Sequence, residues 1–155
     1  MNRLLLTSII LITTPHSCLA HEYHFPGKGS RVAWERANDL NTQAAEKEHS
    51  HKPDQAIALL KRAIVIYPFD PYFYKNLGLI YENDKKDFAK AERLYQTAIH
   101  MSPTNATFLI GHAGLLFDEG KIEQSKQALR KAEPYIKSDE ERANAQRLRS
   151  FLYAN

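Results

Sequence analysis

One spacing limits what this chain can fold into. Three tracts, "KPDQAIALLKRAIVIYP" (Lys52 to Pro68), "KDFAKAERLYQTAIHMSP" (Lys86 to Pro103) and "GKIEQSKQALRKAEPYI" (Gly120 to Ile136), align in steps of 35 and then 34 residues. Small residues fall at Ala56, Ala91 and Ser125, large ones at Leu60, Tyr95 and Leu129, and small ones again at Ala63, Ala98 and Ala132. Pro68 and Pro103 keep the first step. Within each tract the pattern advances by four residues and then three, which places it on one face of a helix. A fixed period of this length marks stacked units that bury their apolar faces against each other.

The segments between the tracts also read as helices. Asp70 is a favourable N-cap with Pro71 at the first helical position, opening a helix to about Asn83. A second such segment runs from Asn105 to about Glu119, and Gly120 is placed to end it. Val32 to His49 carries Trp34, Ala37, Leu40 and Ala44 along one stripe. Ser138 and Glu141 form a capping box that opens a helix to about Tyr153, with Ala145, Leu148 and Leu152 on its apolar side. The expectation is seven helices: three hairpins and a terminal helix covering the last apolar face.

The unit resembles the tetratricopeptide repeat. The middle copy matches it most fully, with Tyr74, Leu77, Gly78 and Tyr81 in the first helix, Ala91, Tyr95 and Ala98 in the second, and Pro103 closing it. The third copy has Leu109, His112, Ala113 and Leu116 at the first-helix positions, and Pro134 should stop its second helix early. The first helix of the first copy looks about a turn too long for the family. The resemblance implies an all-α fold, a right-handed α–α superhelix of about three hairpins (30–69, 70–104, 105–138) with a capping helix at 139–155. It also accounts for Gly78, which costs about 1 kcal/mol in a helix interior: a side chain there would hold the paired backbones apart.

Function follows from the same resemblance. The first helices of such repeats line a concave surface that holds a peptide or a partner helix. Here the implied groove residues are Tyr72, Lys75, Leu79, Glu82 and Asn83, then Thr107, Ile110, Gly114 and Phe117. Chaperone-binding members grip a C-terminal carboxylate with Lys, Asn and Arg. Lys75 fits one such position, but Leu79 and Gly114 stand where asparagine would be wanted. An apolar and aromatic groove suits an amphipathic or extended segment instead. The implied protein is a scaffold or adaptor with another protein or peptide as its partner, supporting assembly of an envelope complex; its oligomeric state stays open.

The first twenty residues stand outside this pattern. Arg3 precedes an apolar run from Leu4 to Ile12, Pro15 breaks it, and Cys18-Leu-Ala20 fits a signal-peptidase site. The expectation is an exported protein, cut after Ala20 and placed in a periplasm. The run is too short to span a bilayer. A secreted protein and an outer-membrane lipoprotein acylated at Cys18 are the alternatives. Residues 21–29 read as a flexible leader. Cleavage would also remove the only cysteine, leaving no disulfide and no thiolate ligand.

Catalytic signatures are missing from the sequence. It has no glycine-rich phosphate loop, no nucleophile elbow and no H-E-x-x-H helix, so the reading is a protein that is not an enzyme and needs no cofactor. A net charge of +3 comes from interleaved signs, without the basic stripe that nucleic acid would require. The alternative function is metal binding. A mature terminus at His21, with His24, could chelate copper, and His49-Ser-His51 is a second histidine pair. His100 and His112 read as surface or partly packed.

Overall fold

A computed structural model describes residues 27–154. The expected signal sequence, Cys18, His21 and His24 lie outside the described residues. Seven α-helices follow one another: α1 (Arg31–His49), α2 (Pro53–Ile66), α3 (Pro71–Asn83), α4 (Phe88–Met101), α5 (Ala106–Asp118), α6 (Ile122–Ala132) and α7 (Asp139–Leu152). The described residues contain no strand. α1 pairs with α2, α3 with α4 and α5 with α6, and each hairpin then packs on the next. α7 lies across both α5 and α6.

Local chemistry sets the ends of these helices. The side chains of Ser30, Asp70, Asp87 and Asn105 each accept a bond from a backbone N–H in the first turn of α1, α3, α4 and α5. Ser138 and Glu141 form the reciprocal capping box at α7. α6 stops at Ala132, and Glu133–Tyr135, with Pro134 inside it, turns as a short 3₁₀ segment. α1, at 19 residues, exceeds the 13 residues of α3 and of α5.

The turn inside each hairpin passes through one left-handed residue. His51 (φ 54°), Lys86 (φ 51°) and Gly120 (φ 78°) are all left-handed, and they lie two residues before the second helix of their hairpins. In the first and third turns the next residue closes a six-to-one backbone bond, Lys52 N–H to the Lys47 carbonyl (2.9 Å) and Lys121 to Leu116 (2.8 Å). In the middle turn Asp87 reaches one residue further back, to Tyr81 (2.9 Å). Only Gly120 adopts this conformation freely; a residue with a Cβ is strained there.

All nine stripe positions are interior, with exposures between 0% at Ala56 and 2% at Leu129. Burying a leucine such as Leu60 stabilises by about 1.5–3 kcal/mol. Ser125 keeps the small-residue role of Ala56 and Ala91, and its hydroxyl is satisfied by donating to the Ala113 carbonyl at 2.6 Å. Two further buried bonds tie the first hairpin to the second. Trp34 Nε1–H donates to Asp70 Oδ2, and Asn76 Nδ2–H to Asn41 Oδ1, both at 2.8 Å.

The glycines need a correction. A Cβ at Gly78 would stand 3.4 Å from Leu94 Cβ and 3.5 Å from the Ala91 carbonyl oxygen and Tyr95 Cδ2, which is ordinary contact. Gly78 therefore leaves room for a methyl group and excludes only larger side chains. The tighter approach is at Gly111, where a Cβ would lie 2.7 Å from Tyr95 Cε1. The Tyr95 ring thus has a glycine of α3 on one side and a glycine of α5 on the other. Near the start of the described chain, the end of the expected leader is held in place: Tyr67 donates its hydroxyl proton to the Lys28 carbonyl, and Gly29 lies against the Tyr67 and Phe69 rings.

Candidate binding groove

Four helices line a depression of about 350 Å³, α4 through Tyr95 alone. α3 contributes Leu79 and Glu82, and α5 contributes Ile110, Gly114 and Phe117, a stripe spaced by four and three. α7 supplies the facing wall with Asn144, Arg147, Leu148 and Phe151, again at helical spacing. The rings of Phe117 and Phe151 meet at 5.9 Å between centroids. Phe151 is 57% exposed, so this aromatic wall is open to a ligand. A Cβ at Gly114 would meet nothing within 4 Å, so this glycine keeps the floor of the depression clear.

Glu82 is the unusual member. It is only 5% exposed, and its Oε2 accepts a 2.8 Å bond from the hydroxyl of Tyr95, which is itself buried. Burial raises the Glu82 carboxyl to about 7; the Tyr95 bond opposes this, Asp118 adds to it, and Lys86 and Lys75 act against it. Burial likewise pushes the Tyr95 hydroxyl well above its usual value.

The expected groove residues separate into groups. Leu79, Glu82, Ile110, Gly114 and Phe117 converge on the depression. Tyr72 is elsewhere: it packs edge-on against Phe108 at 4.9 Å, its hydroxyl accepts a bond from Asn105, and it lines a second depression of about 480 Å³ with Lys28, Phe69 and His100. The Thr107 hydroxyl donates to Glu141 Oε1 at 3.2 Å, which ties α5 to α7. Lys75 is half-buried in the field of Glu48 and Glu82, and Asn83 is exposed at the end of α3. Sequence reasoning missed the α7 wall and Asp118. The steps from Asn144 to Arg147, Leu148 and Phe151 were the available signal, hidden because α7 was read only for the apolar side that covers the stack.

The described histidines do not gather. His49 and His51 are exposed beside the first turn, and His112 is half-buried with its Nε2 3.9 Å from Glu92. Burial lowers the His112 pKa, against the pull of Glu92. Among the described residues no three His, Cys, Asp or Glu side chains are placed to hold a metal ion, and no helix is long and apolar enough to cross a membrane.

Residues 83–148, from the end of α3 into α7, match the tetratricopeptide repeat family. Residues 83–148 thus carry tetratricopeptide repeats. No curated protein matches the sequence. Solved structures share the fold at low identity. The Yersinia enterocolitica type III secretion chaperone SycD, in complex with a peptide of the translocator YopD, superposes with a TM-score of 0.70 at 20% identity, covering 81% of this chain and 95% of that one. The first tetratricopeptide domain of Spaghetti, bound to an HSP90 peptide, gives 0.65 at 18% identity over 76% and 96% of the two chains. The Sgt2 tetratricopeptide domain of Aspergillus fumigatus gives 0.65 at 19% identity over 80% and 85%. At these identities the likeness is one of fold.

Proposed function

We propose that this tetratricopeptide-repeat protein is a non-catalytic adaptor whose groove between α3, α5 and α7 holds an extended or amphipathic segment of a partner protein. The observation that carries the reading is the open aromatic wall of Phe117 and Phe151, set against Leu79 and Ile110 across a depression with a clear floor at Gly114. An exposed apolar patch of this kind is a common mark of a binding surface. Two similar folds hold peptides, SycD that of a translocator and Spaghetti that of HSP90. The sequence before residue 21 supports export to a periplasm, and by analogy with the fold alone we infer a role in assembling an envelope complex there.

A photo-crosslinking residue at Asn144, exposed on the α7 wall of the depression, tests this in the native compartment. The expected result is one dominant crosslinked protein, its yield reduced at least fivefold by Phe117→Ala or Phe151→Ala with helicity unchanged by circular dichroism. Equal yields from folded variants would remove the groove assignment. Mass analysis of the same material reads the mature terminus, expected at His21.

A further inference from the structure

The repeat architecture explains a groove, and the apolar wall explains why a hydrophobic residue would enter it. Neither explains a carboxylate at its base. Glu82 is carried on α3 into a site lined mainly by Leu79, Ile110, Phe117 and Phe151, and Asp118 stands at the rim on α5. A buried acid is expensive unless bonded and compensated. The Tyr95 hydroxyl donates to one of its oxygens. A structural role for that bond would be served as well by a glutamine, which also accepts from a tyrosine hydroxyl without bringing a charge into the interior.

We propose that the groove selects a segment in which an apolar side chain adjoins a lysine or arginine, the apolar part lying on Phe117 and Phe151 and the cation reaching Glu82 with Asp118 beside it. This rests on reading the depression as the partner site, and it adds the partner's charge. The arrangement is opposite in sign to a clamp for acidic tails. Arg147, exposed on α7, is not among the charges that act on Glu82. The groups that do are Asp118 from α5, Lys86 from the turn, Lys75 from α3 itself, and Tyr95 from α4. Seating a cation expels a proton from the fraction of Glu82 that holds one, so binding strengthens as pH rises from 6 to 8.

The test uses three probes of one size on the folded chain: 2-phenylethylammonium, 2-phenylethanol and phenylacetate, titrated against the backbone amide resonances of Gly111 and Gly114. The cation is expected to bind at least fivefold more tightly than the alcohol and the anion more weakly than both, with the margin growing between pH 6 and pH 8. Glu82→Gln, which keeps an acceptor for Tyr95, is expected to bring the cation and the alcohol within twofold. Asp118→Asn, at an exposed position, narrows the margin without touching the interior and serves if the first variant does not fold. A flat ranking, a preference for phenylacetate, or a margin that survives Glu82→Gln would overturn the proposal. Crosslinking at Asn144 with a flat ranking leaves an adaptor of different charge preference. The expected ranking without any crosslinked protein leaves the pocket chemistry and removes the adaptor.

Discussion

The middle hairpin carries Tyr95 where the outer two carry Leu60 and Leu129, and the surroundings differ to match. Leu60 sits among Ala44, Leu77 and Ile80, and Leu129 among Ile110, Ala113 and Ala145. Tyr95 has glycine backbones on two sides, Gly78 of α3 and Gly111 of α5. A phenol ring is longer than a leucine side chain, and its hydroxyl must find a partner when buried. Both demands are met together: the ring occupies the space that two glycines leave, and the hydroxyl reaches Glu82. One enlarged side chain has thus set the residues on both neighbouring helices, and it has drawn an acid into the groove.

Breaking the glycines tests this most severely. Gly78→Leu is expected to cost about 3 kcal/mol or more, because the added bulk meets Leu94 and Tyr95. Gly111→Ala is expected to cost about 1–3 kcal/mol, although alanine is the better helix former by about 1 kcal/mol. Gly78→Ala, with room for its methyl, should stay within about 1 kcal/mol of wild type. Urea unfolding of the double variant Gly111→Ala/Tyr95→Leu sharpens the comparison. If the ring is the obstacle, the alanine penalty vanishes in the leucine background, a coupling of at least about 1 kcal/mol. Additive costs would mean that Gly111 answers to something else.

Glu82 gives the next effect in size. Its folded-state pKa is raised to about 7 from an ordinary 4.5, so the folded protein holds this proton more tightly than the unfolded chain. The stabilisation is complete below about pH 4.5 and is lost as pH rises through 7. Glu82→Gln should therefore match wild type near pH 4 and exceed it by about 1–3 kcal/mol at pH 8, read by thermal melts across that range. A constant difference at all pH values would show that the carboxyl is not buried as described.

The smallest effects compare the three turns. Gly120→Ala is expected to cost about 1 kcal/mol, because its φ of 78° suits no side chain. Lys86→Gly should stabilise by about 0.5 kcal/mol, the relief of about 1–2 kcal/mol of left-handed strain outweighing the added freedom of the unfolded chain.

What could be read from residues alone was whatever depends on near neighbours or on the period. The nine stripe positions, the Asp70 cap, the capping box at Ser138, the stop at Pro134 and the glycine turn at Gly120 are of this kind. The constraint on Gly111 was not, because it comes from a ring sixteen residues away in α4. Glu82 read as a groove position, but its burial could not be read, because the hydroxyl that bonds it lies on the next helix. Tyr72 and Thr107 carry groove spacing, but Asn105 and Glu141 hold them in other contacts. In each case the spacing placed a residue on the right face of its helix, and a long-range contact decided what that face met.

The bond from Trp34 to Asp70 has a consequence in time. A ribosome delivers the amino end first, so the indole of α1 exists well before its acceptor has been made. Until residue 70 emerges, the opening hairpin can close only by leaving that N–H in water or stranding it in an apolar interior. Asp70 is also the side chain that starts α3. Its arrival both completes the first tile and begins the second, so the nascent chain has good reason to settle two units in one step.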